Sequence, residues 1–294
     1  MIGPNGLGGR GALRAVALMI AAAALLPAWP TAHAEEQSAR VRSLYLSGSA
    51  DGTPPPQGTE PSAEPVLFDA GTRAVFAHFS YEEAADQSIG VLVKGRGGVT
   101  CFSHTAKYNG NGSVSIEISG ATAYAVLTAG LNGDARDAKQ SAKQAAERSV
   151  GVQEFLRAAE AAVLRLQWTV DLLGNVVLPP EPTKRVDEIV TRLEQARSIL
   201  SRAIELPADD VTGKQGRAAQ VDTMLGDVVL ASATLSEEAP SMTDLALPRS
   251  GHAAADAFVV QLEIDGDIAA SAEFWVWGPA RIYLPQVSKR VAIR

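Results

Sequence analysis

The sequence predicts an α+β protein: one antiparallel β-sandwich of about seven strands, interrupted by an inserted helical bundle. Three observations lead there. Segments of strict period-two alternation lie on both sides of a long central stretch whose apolar residues recur at spacings of three and four. Turn residues punctuate the alternating segments at short intervals. Neither strand group is large enough to cover its own apolar face, so the two are expected to share one core.

Residues 1–34 read as a cleavable secretory signal. Arg10 and Arg14 supply a positive start, Ala15 to Leu26 an apolar run of 12 residues, and Ala32-His33-Ala34 a small-x-small cleavage site. That run is too short to span a bilayer, and Pro27 and Pro30 end it. No later stretch reaches the length of a membrane span, so the expected product is secreted or extracytoplasmic, without a transmembrane segment. Cleavage leaves 260 residues, and removing two arginines from a formal charge of −7 leaves −9. An acidic chain without a basic cluster argues against nucleic acid and against anionic membrane surfaces.

The sandwich is expected at 35–120 and 248–280. Leu44 and Leu46 flank Tyr45 on the first strand, and a Pro-rich loop from Gly52 to Pro65 follows. Val75, Ala77 and Phe79 then alternate with Phe76, His78 and Ser80. Ile89, Val91 and Val93 run into the Gly95-Arg96-Gly97-Gly98 turn, and Val99 to Phe102 come next. Asn109-Gly110-Asn111-Gly112 reads as another turn before Val114, Ile116 and Ile118. Downstream, Phe258 to Ile264 and Ile268 to Val276 form a hairpin around Asp265-Gly266, a type I′ pair. The total of about seven strands is what an immunoglobulin-like sandwich needs.

Residues 121–247 are expected to be helical. Ala135, Ala138, Ala142, Ala145, Ser149, Val152, Leu156, Ala159, Val163, Leu166, Val170 and Leu173 keep three/four spacing throughout. Val186 to Ala203 and Ala218 to Leu235 repeat the pattern, separated by Pro179-Pro180, Pro207 and Gly213. Flanking apolar residues such as Phe155, Val190, Ile199 and Val229 widen each face. A wide face needs two neighbours, which favours a three-helix bundle over a bent coiled-coil arm. Gly151 weakens the first helix near Ser149, and Trp168, outside the seam, needs cover.

Phe68-Asp-Ala-Gly-Thr-Arg-Ala-Val-Phe, Gly110-Asn-Gly-Ser-Val-Ser-Ile-Glu-Ile and Phe258 to Phe274 resemble immunoglobulin-like modules of secreted bacterial proteins. The tail at 281–294, beginning Arg281-Ile-Tyr-Leu-Pro, resembles the Tyr-Leu-Pro endings of uncharacterised exported proteins. The resemblance implies a fold and a compartment, and no catalytic residue.

No zinc helix, nucleophile elbow or Walker loop is present. His78 and His104 could meet only if strands bring them together, and the expectation is no metal and no cofactor. Cys101, the lone cysteine, reads as a core residue. Asp209 or Asp210 is expected to cap the third helix, and Asp265 and Asp267 belong to their turn. Trp275 and Trp277 lie opposite Phe274 and Val276. Either the insert or the tail from Ile282 to Leu284 covers them, or they form an exposed binding patch. The expected function is a non-enzymatic interaction or scaffold protein whose helical insert meets an unidentified protein or glycan of the cell envelope. The alternative is a carbohydrate-binding module using Trp275 and Trp277, and the third reading is a hydrolase without a recognisable motif.

Overall fold

Two long strands organise the sheet: β3 (Ala74–Lys94) and β4 (Thr100–Ser119), joined by a tight 3₁₀ turn at Arg96–Gly98. The computed structural model describes residues 39–52, 65–174, 176–248 and 255–277. The signal peptide expected at 1–34, nearly all of the Pro-rich loop and the tail expected at 281–294 lie outside these residues. One edge of β3 carries β4 along its whole length. Its other edge carries β1 (Arg40–Ser47) from Phe76 to Glu82, then β5 (Ala255–Ile264) from Ile89 to Lys94. β5 pairs with β6 (Asp267–Trp277), and β2 (Val66–Asp69) joins β6 in parallel.

The chain is therefore α+β, with strands from both sides of the helices in one sheet. The expected seven-stranded antiparallel sandwich requires correction. Among the described residues there is a single mixed sheet of six strands, and β6 approaches β1 closely enough that it almost closes into a barrel. The reason lies in Asn109-Gly110-Asn111-Gly112, which does not reverse the chain. It sits opposite register shifts in β3, where Glu83 and Asp86 adopt φ of 59° and 58°. Asn111 Oδ1 accepts from the Glu83 amide at 2.9 Å, and Asn109 Oδ1 accepts from the Asp86 amide at 2.5 Å. Those side chains satisfy donors that the bulges remove from the ladder, so four expected strands fuse into one bent ribbon.

Alternation fills the interior as expected. Val75, Ala77, Phe79, Val91, Val93, Phe258, Val260, Leu262, Phe274 and Val276 are all buried, and Phe258 stacks on Phe274 at 5.0 Å. Asp265 and Gly266 make the β5–β6 turn with φ of 50° and 98°.

Among the described residues four helices, not three, form the insert: α1 (Gly120–Glu147), α2 (Val152–Leu173), α3 (Pro180–Ile204) and α4 (Val211–Glu238). Consecutive helices pack on one another and α1 packs on α4, an up-and-down ring. The seam read as one long helix reverses direction at Arg148–Gly151. Gly151 has φ 76°, a conformation that side-chain-bearing residues avoid, and its position between two apolar faces allows the corner. Three/four spacing continues through the corner by coincidence, and Ser149 is exposed there. Elsewhere the seam is closed. Ala135, Ala138, Ala142, Ala145, Leu156, Leu166, Leu193, Leu200, Val221 and Leu225 are fully buried.

Sheet and bundle meet where the chain crosses between them and again at the Arg96–Gly98 turn. The Gly120 amide donates to the Arg73 carbonyl and the Leu247 amide to the Thr72 carbonyl, each at 2.8 Å, so the chain enters and leaves the bundle side by side. Trp168 of α2 gains its cover from the Arg96–Gly98 turn; a Cβ at Gly97 would lie 2.0 Å from its ring. No helix among the described residues is long and apolar enough to cross a membrane.

Candidate functional site

β6 turns Phe274 and Val276 inward, which forces Glu273, Trp275 and Trp277 onto the outer face. Trp277 is 51% exposed and Trp275 is half-buried. The helices do not provide their cover; α1 packs on β4 and α2 on the Arg96–Gly98 turn. Parallel pairing with β2 sets Leu67 beside Trp275 and Asp69 beside Trp277, and Leu67 is 61% exposed. On the other side, Ala257 of β5 lies opposite Trp275 and Val259 opposite Glu273.

The result is an outer strip with two indoles, a leucine and two carboxylates. Residues two apart on a strand are separated by about 7 Å on one face, so the rings form adjacent platforms. The Trp275 indole N–H donates to the Glu273 carboxylate, which holds that ring against the sheet. Such a strip can stack on the apolar face of a ring while its carboxylates accept hydroxyl hydrogens.

The other candidate groups have structural employment. His78 Nε2 lies 2.8 Å from Ser47 Oγ, and the ring stacks on Tyr45 at 4.7 Å. His104 pairs in register with Val91 and His78 with Ser115, so the ribbon keeps the two histidines in different halves. His252 lies outside the described residues. Among the described residues, no group of three or more His, Cys, Asp or Glu side chains is arranged to hold a metal ion. Cys101 is 2% exposed, and burial pushes its thiol up to about 12 against the lowering effect of a backbone hydrogen bond at Gly95. A thiol so protonated is a core residue. Asp210 caps α4 by accepting from the Gly213 amide at 2.9 Å, as expected for that position. Asp265 accepts from the Ser88 amide at 3.0 Å, tying its turn to β3.

Clefts lie between helices. One at the α1–α2 face, about 480 Å³, holds Asp134, Asp137 and Arg165. Burial raises the Asp134 carboxyl above its ordinary range, opposed by Arg165 at 3.3 Å and reinforced by Asp137. A second cleft, about 360 Å³, lies at the free end of the bundle and includes Arg157 and Lys214. Sequence reasoning missed Leu67 and Asp69, because parallel pairing leaves no local signal. It also missed Lys214, although a visible sign existed: Lys214 continues the Ala218, Val221, Leu225 spacing one step toward the N-terminus.

The chain matches no protein-family model, no curated protein and no solved structure. Function is therefore read from the geometry of the aromatic face and the clefts.

Proposed function

We propose that this is an exported, non-enzymatic binding protein whose contact surface is the outer face of β2 and β6, with a glycan as ligand. The observation that carries the reading is Trp277, 51% exposed beside Trp275, with Leu67 in register on the neighbouring strand. Large apolar side chains left together on a surface mark interaction sites, and aromatic anchors dominate their energetics. The flanking carboxylates of Asp69 and Glu273 suit a hydroxyl-rich ligand better than an apolar protein groove. A scan of soluble polysaccharides by tryptophan fluorescence tests this. A binding glycan is expected to shift the emission saturably, and Trp277→Ala is expected to remove most of that shift. Unchanged emission across neutral, acidic and amino-sugar polymers would overturn the glycan reading.

The second reading keeps the helical insert as the partner-binding element. Its support is the cleft at the free end of the bundle, where the buried Gln153 Oε1 has no hydrogen-bond partner among the described residues. A protein partner retained by the full chain, and not displaced by a saturating glycan, would favour it.

A further inference from the structure

We infer, resting on the glycan reading above, that the aromatic face of β2 and β6 selects a cationic glycan, a chain of amino sugars that carry free ammonium groups. Stacking on an indole does not by itself choose the charge of a sugar. The side chains around the two indoles do.

Charge on these strands is one-sided. β2, β5 and β6 hold the acids Asp69, Asp256, Glu263, Asp267 and Glu273, and no lysine, arginine or histidine. Register sorts the acids by face. Asp256 pairs with Val276 and is buried, and Asp267 belongs to the β5–β6 turn. Glu273 shares the outer face with both indoles, Asp69 stands beside Trp277, and Glu263 lies farther along that face opposite Gly90. Asp69, Glu263 and Glu273 form no ion pair among the described residues.

Bases on the surrounding elements do not neutralise them. Arg40 and Arg42 of β1, the strand that approaches β6, are engaged by Glu83 and Glu82. Arg73, beyond the end of β2, meets Asp244 at 2.9 Å. Lys94 of β3 shares a row with Glu273, but Val259 lies between them and no ion pair joins the two.

The two carboxylates are placed for a stacked ring. Glu273 is about 7 Å along the strand from Trp275, and Asp69 is one strand spacing, about 5 Å, from Trp277. Each indole therefore has a carboxylate within reach of a substituent on a sugar lying over it. Glu273 accepts the Trp275 indole N–H and keeps further acceptor sites for a ligand. A ligand hydroxyl gains a hydrogen bond there. An ammonium gains the bond, the attraction of opposite charge, and the attraction of the indole face. A carboxylated or sulfated sugar meets like charge.

Calorimetric titration of the full chain with a β-1,4-linked glucosamine hexasaccharide and its N-acetylated counterpart tests the assignment. The titrations are run at about pH 5.5, where carboxylates are ionised and the amine is protonated. The amine form should bind about tenfold more tightly, as two exposed charge contacts each contribute severalfold, and the advantage should shrink in about 0.5 M salt. Asp69→Asn combined with Glu273→Gln keeps an acceptor for the Trp275 N–H and should bind both saccharides alike. Trp277→Ala should lose both. A lysine hexapeptide, with charge and no rings, should bind at least about tenfold more weakly than the amine saccharide. Equal wild-type affinity for the acetylated and free-amine saccharides would overturn the charge selection and leave the glycan reading standing, whereas failure of every saccharide to bind would remove both. Preference for the amine form retained in the double variant or in Trp277→Ala would place the selection elsewhere and overturn the assignment. Lysine hexapeptide binding as tight as the amine saccharide would overturn it too, since net acidity alone would then be read.

Discussion

In the helical bundle, each apolar seam faces another helix and disappears from solvent, whereas the sheet buries one face and leaves two tryptophans and a leucine on the other. Leu166, Leu193, Leu200 and Leu225 are fully buried; Trp277 and Leu67 remain more than half exposed. Both regions follow the same physics, since apolar area leaves water wherever a partner surface exists. The difference is that a ring of four helices supplies a partner to every seam, leaving Leu230 of α4 outside at 71% exposed, while an almost closed sheet has a single interior. The buried seam residues of the bundle thus serve stability, and the outer residues of β6 are free to serve recognition.

Leucine deletions in the bundle should give the largest effects. Leu166→Ala and Leu200→Ala each leave a cavity in a closed core and should cost about 2–5 kcal/mol in urea melts. Near-zero losses for both would mean that the bundle is not packed as described. Ala138→Leu sharpens the contrast from the other direction. Four successive seam alanines let α1 approach its neighbours closely, so the added side chain should cost about 1–3 kcal/mol through overpacking. Asp210→Ala removes the cap of α4 and should cost about 1 kcal/mol.

A smaller effect belongs to Asp134. Its carboxyl titrates above the ordinary value of 3.8, so the native state holds that proton more firmly than the unfolded chain does. The associated stability is complete below the unfolded pKa and is lost as pH rises through the folded pKa. Asp134→Asn should therefore gain on the wild type between acid and neutral pH, by up to about 0.5 kcal/mol. Melts in which the variant gains instead on acidification would contradict the burial argument.

How far these features were legible in the sequence differs by region. Inward positions such as Val75, Phe79, Phe258 and Phe274 followed directly from period two, because a strand has only two faces. The helix seams were equally legible residue by residue. Their number was not, because the spacing from Ala145 through Ser149 to Val152 happens to match across a corner that only Gly151 betrays. Asn109-Gly110-Asn111-Gly112 looked like a reversal because asparagine and glycine serve turns and bulges through the same conformational freedom. Their role as acceptors for Glu83 and Asp86 depends on a strand some 25 residues away. Trp275 and Trp277 were visible as outward residues, but what lies beside them depends on the parallel pairing of β2, which is set by tertiary structure.

The most direct test of the separation between folding core and contact face is Trp277→Ala, measured for both properties in one preparation. Affinity electrophoresis through the polysaccharide that shifts the wild-type fluorescence reads binding, and a urea melt reads stability. The account predicts loss of retardation with a midpoint shifted by no more than about 0.5 kcal/mol, as for an exposed residue outside the core. Full retardation, or a loss of retardation that accompanies destabilisation of several kcal/mol, would contradict it.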